Sequence, residues 1–147
     1  MKTQLLFTII LSTVIIACKD SSTEPVKTIP FETVSTGINL NKDTTLIIKD
    51  SVTWINLCNN YWTGSKPPMP QIDFQKDQIV AIFYPAQSGC TGNLDLINKI
   101  EVYNNTVNIY RKKFSALMMG QCDGWFYPRQ IIKFQRQELT IEFVVIQ

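Results

Sequence analysis

The sequence predicts a mainly β, α+β domain: an antiparallel sandwich or open barrel of about seven or eight short strands, with one helix near 51–61. Three observations point there. Ile79 to Tyr84 is a short run that is apolar on both faces, as a central buried strand requires. Several β-branched segments of similar length recur, separated by glycine, proline and asparagine. Trp54, Leu57, Cys58 and Tyr61 stand at i, i+3, i+4 and i+7, the spacing of one helical face.

The chain opens with Lys2, its only charge before Cys18, and then a mostly apolar run from Leu5 to Ala17. A basic start and an apolar stretch too short to span a bilayer together describe a secretory signal. Its end, Ile15-Ile16-Ala17-Cys18, resembles the bacterial lipobox. That resemblance implies a lipid thioether on Cys18, cleavage after Ala17 and acylation (palmitate-type) of the new amino terminus. The segments are then a lipoprotein signal peptide at 1–17, a lipidated flexible tether at 18–30 and a single mainly β domain at 31–147. Residues 19–30 are polar with two prolines and have too little apolar surface to fold. Lys19 follows the cysteine where an aspartate would signal inner-membrane retention, so the expected location is the outer membrane, with either face possible.

About 115 residues remain for the domain, enough for one core. Without Lys2 the 14 basic residues become 13, against 12 acidic ones, which is no electrostatic footprint for nucleic acid.

Phe31 to Thr36 alternates loosely and reads as a weak strand that Gly37 breaks. Thr44 to Lys49 is a β-branched strand after an Asn41-Lys42-Asp43 turn. Asp50 or Ser51 can cap the helix that follows. Pro67, Pro68 and Pro70 force an extended connection into the turn before the central strand. Leu94 to Val102 and Thr106 to Arg111 are expected to form a hairpin on Asn104-Asn105, since asparagine tolerates positive φ. Lys113 to Pro128 reads as a long irregular loop. Ile131 to Phe134 and Leu139 to Ile146 are expected to close a second hairpin, with the apolar last strand central.

The chain has no histidine, which excludes Ser-His-Asp and Cys-His nucleophiles and histidine-ligated zinc. It has no phosphate-cradling glycine motif. Asp73 and Asp77, four apart, read as a solvated turn rather than an acid–base pair. The reading is non-enzymatic, with no cofactor.

An oxidising envelope favours disulfides. Cys58 falls on the apolar helix face, where a cysteine packs as a small hydrophobe. Cys90 and Cys122 each lie in a glycine-flanked loop, so the favoured bridge is Cys90–Cys122. Met118, Met119, Trp125, Phe126 and Tyr127 crowd into the long loop. Methionine and aromatics on an anchored loop are the residues of an interface core, and these five are the candidate partner-binding residues. Trp125, beside Gly124, is the one expected to be most exposed. Phe126 and one methionine have a second possible role, folding back to plug the end of the core.

The stretch from Pro70-Gln71-Ile72-Asp73-Phe74 through Gln78–Phe83, Gly89–Asn93 and Pro128–Phe134 resembles the C-terminal domain of the PrcB family of protease-complex subunits. The likeness spans roughly Ser51 to Phe134, with the Ile-Asp-Phe step and its strand the most specific part. The tyrosine of the family's turn is absent from Cys90-Thr91-Gly92-Asn93. The resemblance implies a non-catalytic envelope lipoprotein that binds, assembles or stabilises another protein, in the type case a protease complex. An alternative is an inhibitor-like sandwich that blocks an envelope protease through the 89–93 and 118–127 loops.

Overall fold

The computed structural model describes residues 25–64, 68–88, 94–114 and 124–146. Among the described residues the fold is mainly β with one helix and no closed barrel, consistent with an α+β sandwich. In chain order the elements are β1 (Lys27–Thr28), β2 (Phe31–Thr33), β3 (Thr44–Ile48), α1 (Ser51–Tyr61), β4 (Asp77–Phe83) and β5 (Gln87–Ser88). There follow β6 (Ile97–Tyr103), β7 (Thr106–Lys112), β8 (Trp125–Phe126), β9 (Arg129–Gln135) and β10 (Thr140–Ile146). The strands outnumber the expected seven or eight because β1, β5 and β8 are two-residue pairings, too short to carry an alternation pattern.

The two large sheets have strand orders β1-β6-β7-β10 and β2-β9-β4-β3, and β5 pairs with β8 alone. The second sheet is the middle layer of three. Its β4 places Val80 and Ile82 in one cluster with Ile97, Ile100, Val107 and Ile109 of the first sheet. Ile79, Ala81 and Phe83, pointing the other way, pack with Trp54, Leu57 and Cys58 of α1. That double cover is why β4 is apolar on both faces and its residues from Ile79 to Phe83 are buried.

Helix α1 forms where the 3.6-residue spacing placed it. The Asp50 carboxylate accepts from the Thr53 backbone N–H at 2.8 Å and caps the first turn. Trp54 donates its indole N–H to Pro70 O at 3.2 Å, which ties the helix to the proline segment. Tyr61, expected on the apolar face, is 42% exposed instead. The helix ends at Tyr61, and the partly buried Trp62 takes its place in the cluster. Gly37 makes room for that ring: a Cβ there would lie 2.7 Å from Trp62 Nε1.

The β6–β7 hairpin turns on Asn104 and Asn105 at φ 50 and 58, the left-handed pair of a two-residue turn. The expected hairpin of the last two strands does not form. β9 pairs with β2 and β4, while β10 crosses to the other sheet and runs parallel to β7 from Thr140↔Thr106 to Ile146↔Lys112. β9 is buried on both sides and needs partners at both edges. β10 is an edge strand, covered on one face only, which corrects the central position read from its apolar composition. Strand pairing includes residues before Phe31: Lys27 and Thr28 pair with Val102 and Glu101, and Ile29 is buried. Among the described residues no helix is long and apolar enough to cross a membrane.

Candidate functional site

The site is built at the beginning of β9. β2 pairs with β9 as far as Thr33↔Ile132, and Val34 N–H still donates to Ile131 O at 2.8 Å. Beyond Val34 the chain peels away from β9, and a cavity of about 590 Å³ opens between 33–36 and 125–131. Its floor is Gln130 and Ile131, and its walls include Thr36, Asn39, Leu94, Trp125, Tyr127 and Arg129.

Arg129 bridges the mouth. Its Nη1 donates to Asn39 Oδ1 at 2.6 Å and to Tyr127 O at 3.3 Å, and its Nη2 donates to Thr36 O at 3.0 Å. All three acceptors are neutral, and no carboxylate pairs with Arg129 among the described residues. Burial pushes the guanidinium below its ordinary pKa, but an arginine stays charged at any physiological pH. A cation is therefore held partly out of water with no described counter-charge.

Gln130 is 5% exposed. Its Oε1 accepts from Leu96 N–H and Ile97 N–H, both at 2.7 Å, and so stitches the middle sheet to the start of β6. Gln130 also lines the cavity.

The far wall is β8. Ser88↔Trp125 and Gln87↔Phe126 form its ladder with β5, so part of the expected irregular loop is a paired strand. Two-residue alternation sends its neighbours opposite ways. Trp125 is 77% exposed, whereas Phe126 is buried. Phe126, grouped with the partner-binding residues on sequence, thus takes the core-plugging role instead. Tyr127 is half-buried and lines the cavity with Trp125. Met118, Met119, Cys90, Cys122 and Cys18 lie outside the described residues, and with them the expected bridge and lipid site. Cys58 is buried on α1, as its helical position predicts.

A second cavity of about 450 Å³ lies between Tyr84, Arg111, Lys113 and Phe114. Asp43 lines it too, so both signs of charge are present there. Tyr84 stacks on Phe114 with ring centroids 4.5 Å apart, and burial raises its phenol pKa. Asp73 and Asp77 are the turn residues the sequence suggested. Asp73 accepts from Gln75 N–H and pairs with Lys76, while Asp77 faces Lys133 at 4.0 Å.

Arg129, Gln130, Asn39 and Thr36 were not among the residues singled out on sequence. The available signal was Pro128-Arg129-Gln130, two adjacent polar residues heading a strand that then alternates apolar and polar. Asn39 and Thr36, 90 or more positions away, carry no such mark.

No family model, no curated protein and no solved structure matches the chain.

Proposed function

We propose that this chain is a non-catalytic, lipid-anchored envelope protein whose domain binds another envelope protein through the face around Trp125. In the manner of the PrcB-type domains it resembles, the partner is a protease complex that it assembles or stabilises. The observation that carries the reading is Trp125. A tryptophan is 77% exposed on a strand fixed by pairing with Ser88, beside a cavity whose wall Tyr127 shares. Exposed indoles are costly to leave in water and are concentrated at binding hot spots. The anchor is Cys18, from the Ile-Ile-Ala-Cys end of the signal, and the expected site is the outer membrane.

The test uses the full-length protein purified from detergent-solubilised membranes, with co-purifying proteins identified by mass spectrometry. Trp125→Ala is expected to keep the melting temperature within a few degrees, because the indole supports little of the core. It should lose the partner, as a deficit of about 2 kcal/mol or more at a hot spot would cause. A recovered protease that remains active supports assembly; one that is silenced supports the inhibitor reading. Undiminished recovery with Trp125→Ala overturns the proposed face. Cys18→Ser should release the protein from membranes and abolish fatty-acid labelling, and persistent labelling overturns the anchor.

A further inference from the structure

The cavity beneath Trp125 has a chemistry of its own. Arg129 has five N–H donors. Nη1 spends both of its own on Asn39 Oδ1 and Tyr127 O, and Nη2 spends one on Thr36 O. The Nε–H and the second Nη2–H have no acceptor among the described residues. A planar guanidinium with two donors to spare matches a carboxylate, which has two acceptor oxygens at the same spacing.

Gln130 bounds the cleft from the other face of β9. It is nine-tenths buried and its Oε1 holds the Leu96 and Ile97 N–H groups, so it fixes the strand that carries Arg129. None of the described lining residues is acidic, so none of them competes for the Arg129 donors. The main chain adds to this. Tyr84 N–H donates to Pro128 O, and antiparallel alternation then turns the Arg129 N–H and C=O away from β4, toward the side where β2 has ended. An extended segment entering there meets a free strand edge as well as a cation.

We propose that this cleft binds a peptide carboxylate, with Arg129 as its charged partner. Trp125 and Tyr127 flank the carboxylate and cover the neighbouring residue of the bound segment. The inference rests on reading the Trp125 face as a partner surface, and it names the chemical group that surface recognises.

The experiment measures affinity by the fluorescence of the full-length protein in detergent with three short phenylalanine-flanked peptides. The first is capped at both ends and has a central glutamate. The second replaces glutamate by glutamine. The third is the glutamine peptide with a free C-terminal carboxylate. The glutamate peptide is expected to bind about tenfold or more tightly than its capped glutamine counterpart, the scale of hydrogen bonds to a charged group. If the free-terminus peptide shares the gain, the cleft takes terminal carboxylates too; if not, it is specific for acidic side chains. Arg129→Gln should erase the preference, and Arg129→Lys should keep part of it through charge alone. Equal binding of the capped pair, or no binding of any peptide at millimolar concentration, overturns the proposal without any variant having to fold. That result leaves the partner test with Trp125→Ala untouched, so the two readings fail separately.

Discussion

At one end of β9, Arg136 donates from Nη1 to Phe74 O at 2.9 Å and to Lys49 O at 3.2 Å, and its Nε meets the Glu138 carboxylate at 2.6 Å. At the other end Arg129 makes the same kind of bonds, to Thr36 O and Tyr127 O, but meets no carboxylate among the described residues. The glutamines are arranged the other way round. Gln78, paired with Phe134 near the Arg136 end, is wholly buried, and neither its Oε1 nor its Nε2 has a partner among the described residues. Gln130, near Arg129, holds two backbone N–H groups on one oxygen. One end is therefore closed by charge pairing and the other is left with donors facing a cavity. Both arginines are bonded to carbonyls, but only the charge of Arg136 is answered by a described carboxylate. Where the charge is not answered, the site is suited to an incoming anion.

The two ends should differ most at their glutamines. Gln130→Met leaves the Leu96 and Ile97 N–H groups buried without an acceptor and should cost about 2–4 kcal/mol in urea unfolding. Gln78→Met, on the same face of the same sheet, should be neutral or gain about 1 kcal/mol, since it replaces an unbonded amide with an apolar group of similar volume. Equal losses from the two would mean that Gln78 is bonded in solution.

The arginines come next. Arg136→Ala strips the donor from two carbonyls, Lys49 O after β3 and Phe74 O in the 73–76 turn, and should cost about 2 kcal/mol. Arg129→Gln should stay within about 1 kcal/mol, because removing an unpaired, partly desolvated charge offsets the lost bonds. A larger loss for Arg129 than for Arg136 would make Arg129 a clasp and remove its claim to a ligand.

Much of the frame was legible in the residues. The β4 run reads as a doubly covered strand, and the Trp54-Leu57-Cys58 spacing and Asp50 cap give α1 its bounds. The asparagine pair marks its own turn through backbone preference. These are local signals. The parallel placement of β10 was not legible, because an apolar strand carries the same pattern whichever neighbour it pairs with. The cleft was half legible: Trp125 stands out by composition, whereas Arg129 acquires meaning only once Thr36 and Asn39 are folded against it. No sequence rule sends residues 90 positions apart to one guanidinium.

The smallest expected effect is that of acid. Glu138 is held below its ordinary pKa by its hydrogen bond and charge pairing with Arg136, Asp73 by the Gln75 N–H and then Lys76, and Asp50 by the Thr53 N–H and hydroxyl. Carboxyls with lowered folded values stabilise above their unfolded values, and that contribution is lost as pH falls through the folded ones. These three stand at the Arg136 end of the sheet or the start of α1 beside it. Below the ordinary values of 4.5 and 3.8, amide exchange should therefore quicken first at Thr53 and Arg136. Protection lost at Leu96 and Ile97 at the same pH would deny that the two ends differ.

One spectrum places both arginines side by side. The side-chain Nε–H resonances of Arg129 and Arg136 can be followed by NMR in the detergent-solubilised protein while the capped glutamate peptide is added. The Arg136 signal is expected to stay where it is, already bonded to Glu138, while the Arg129 signal moves downfield and saturates. An Arg129 signal that does not move, or one that the glutamine peptide moves equally, would contradict a carboxylate site at Arg129.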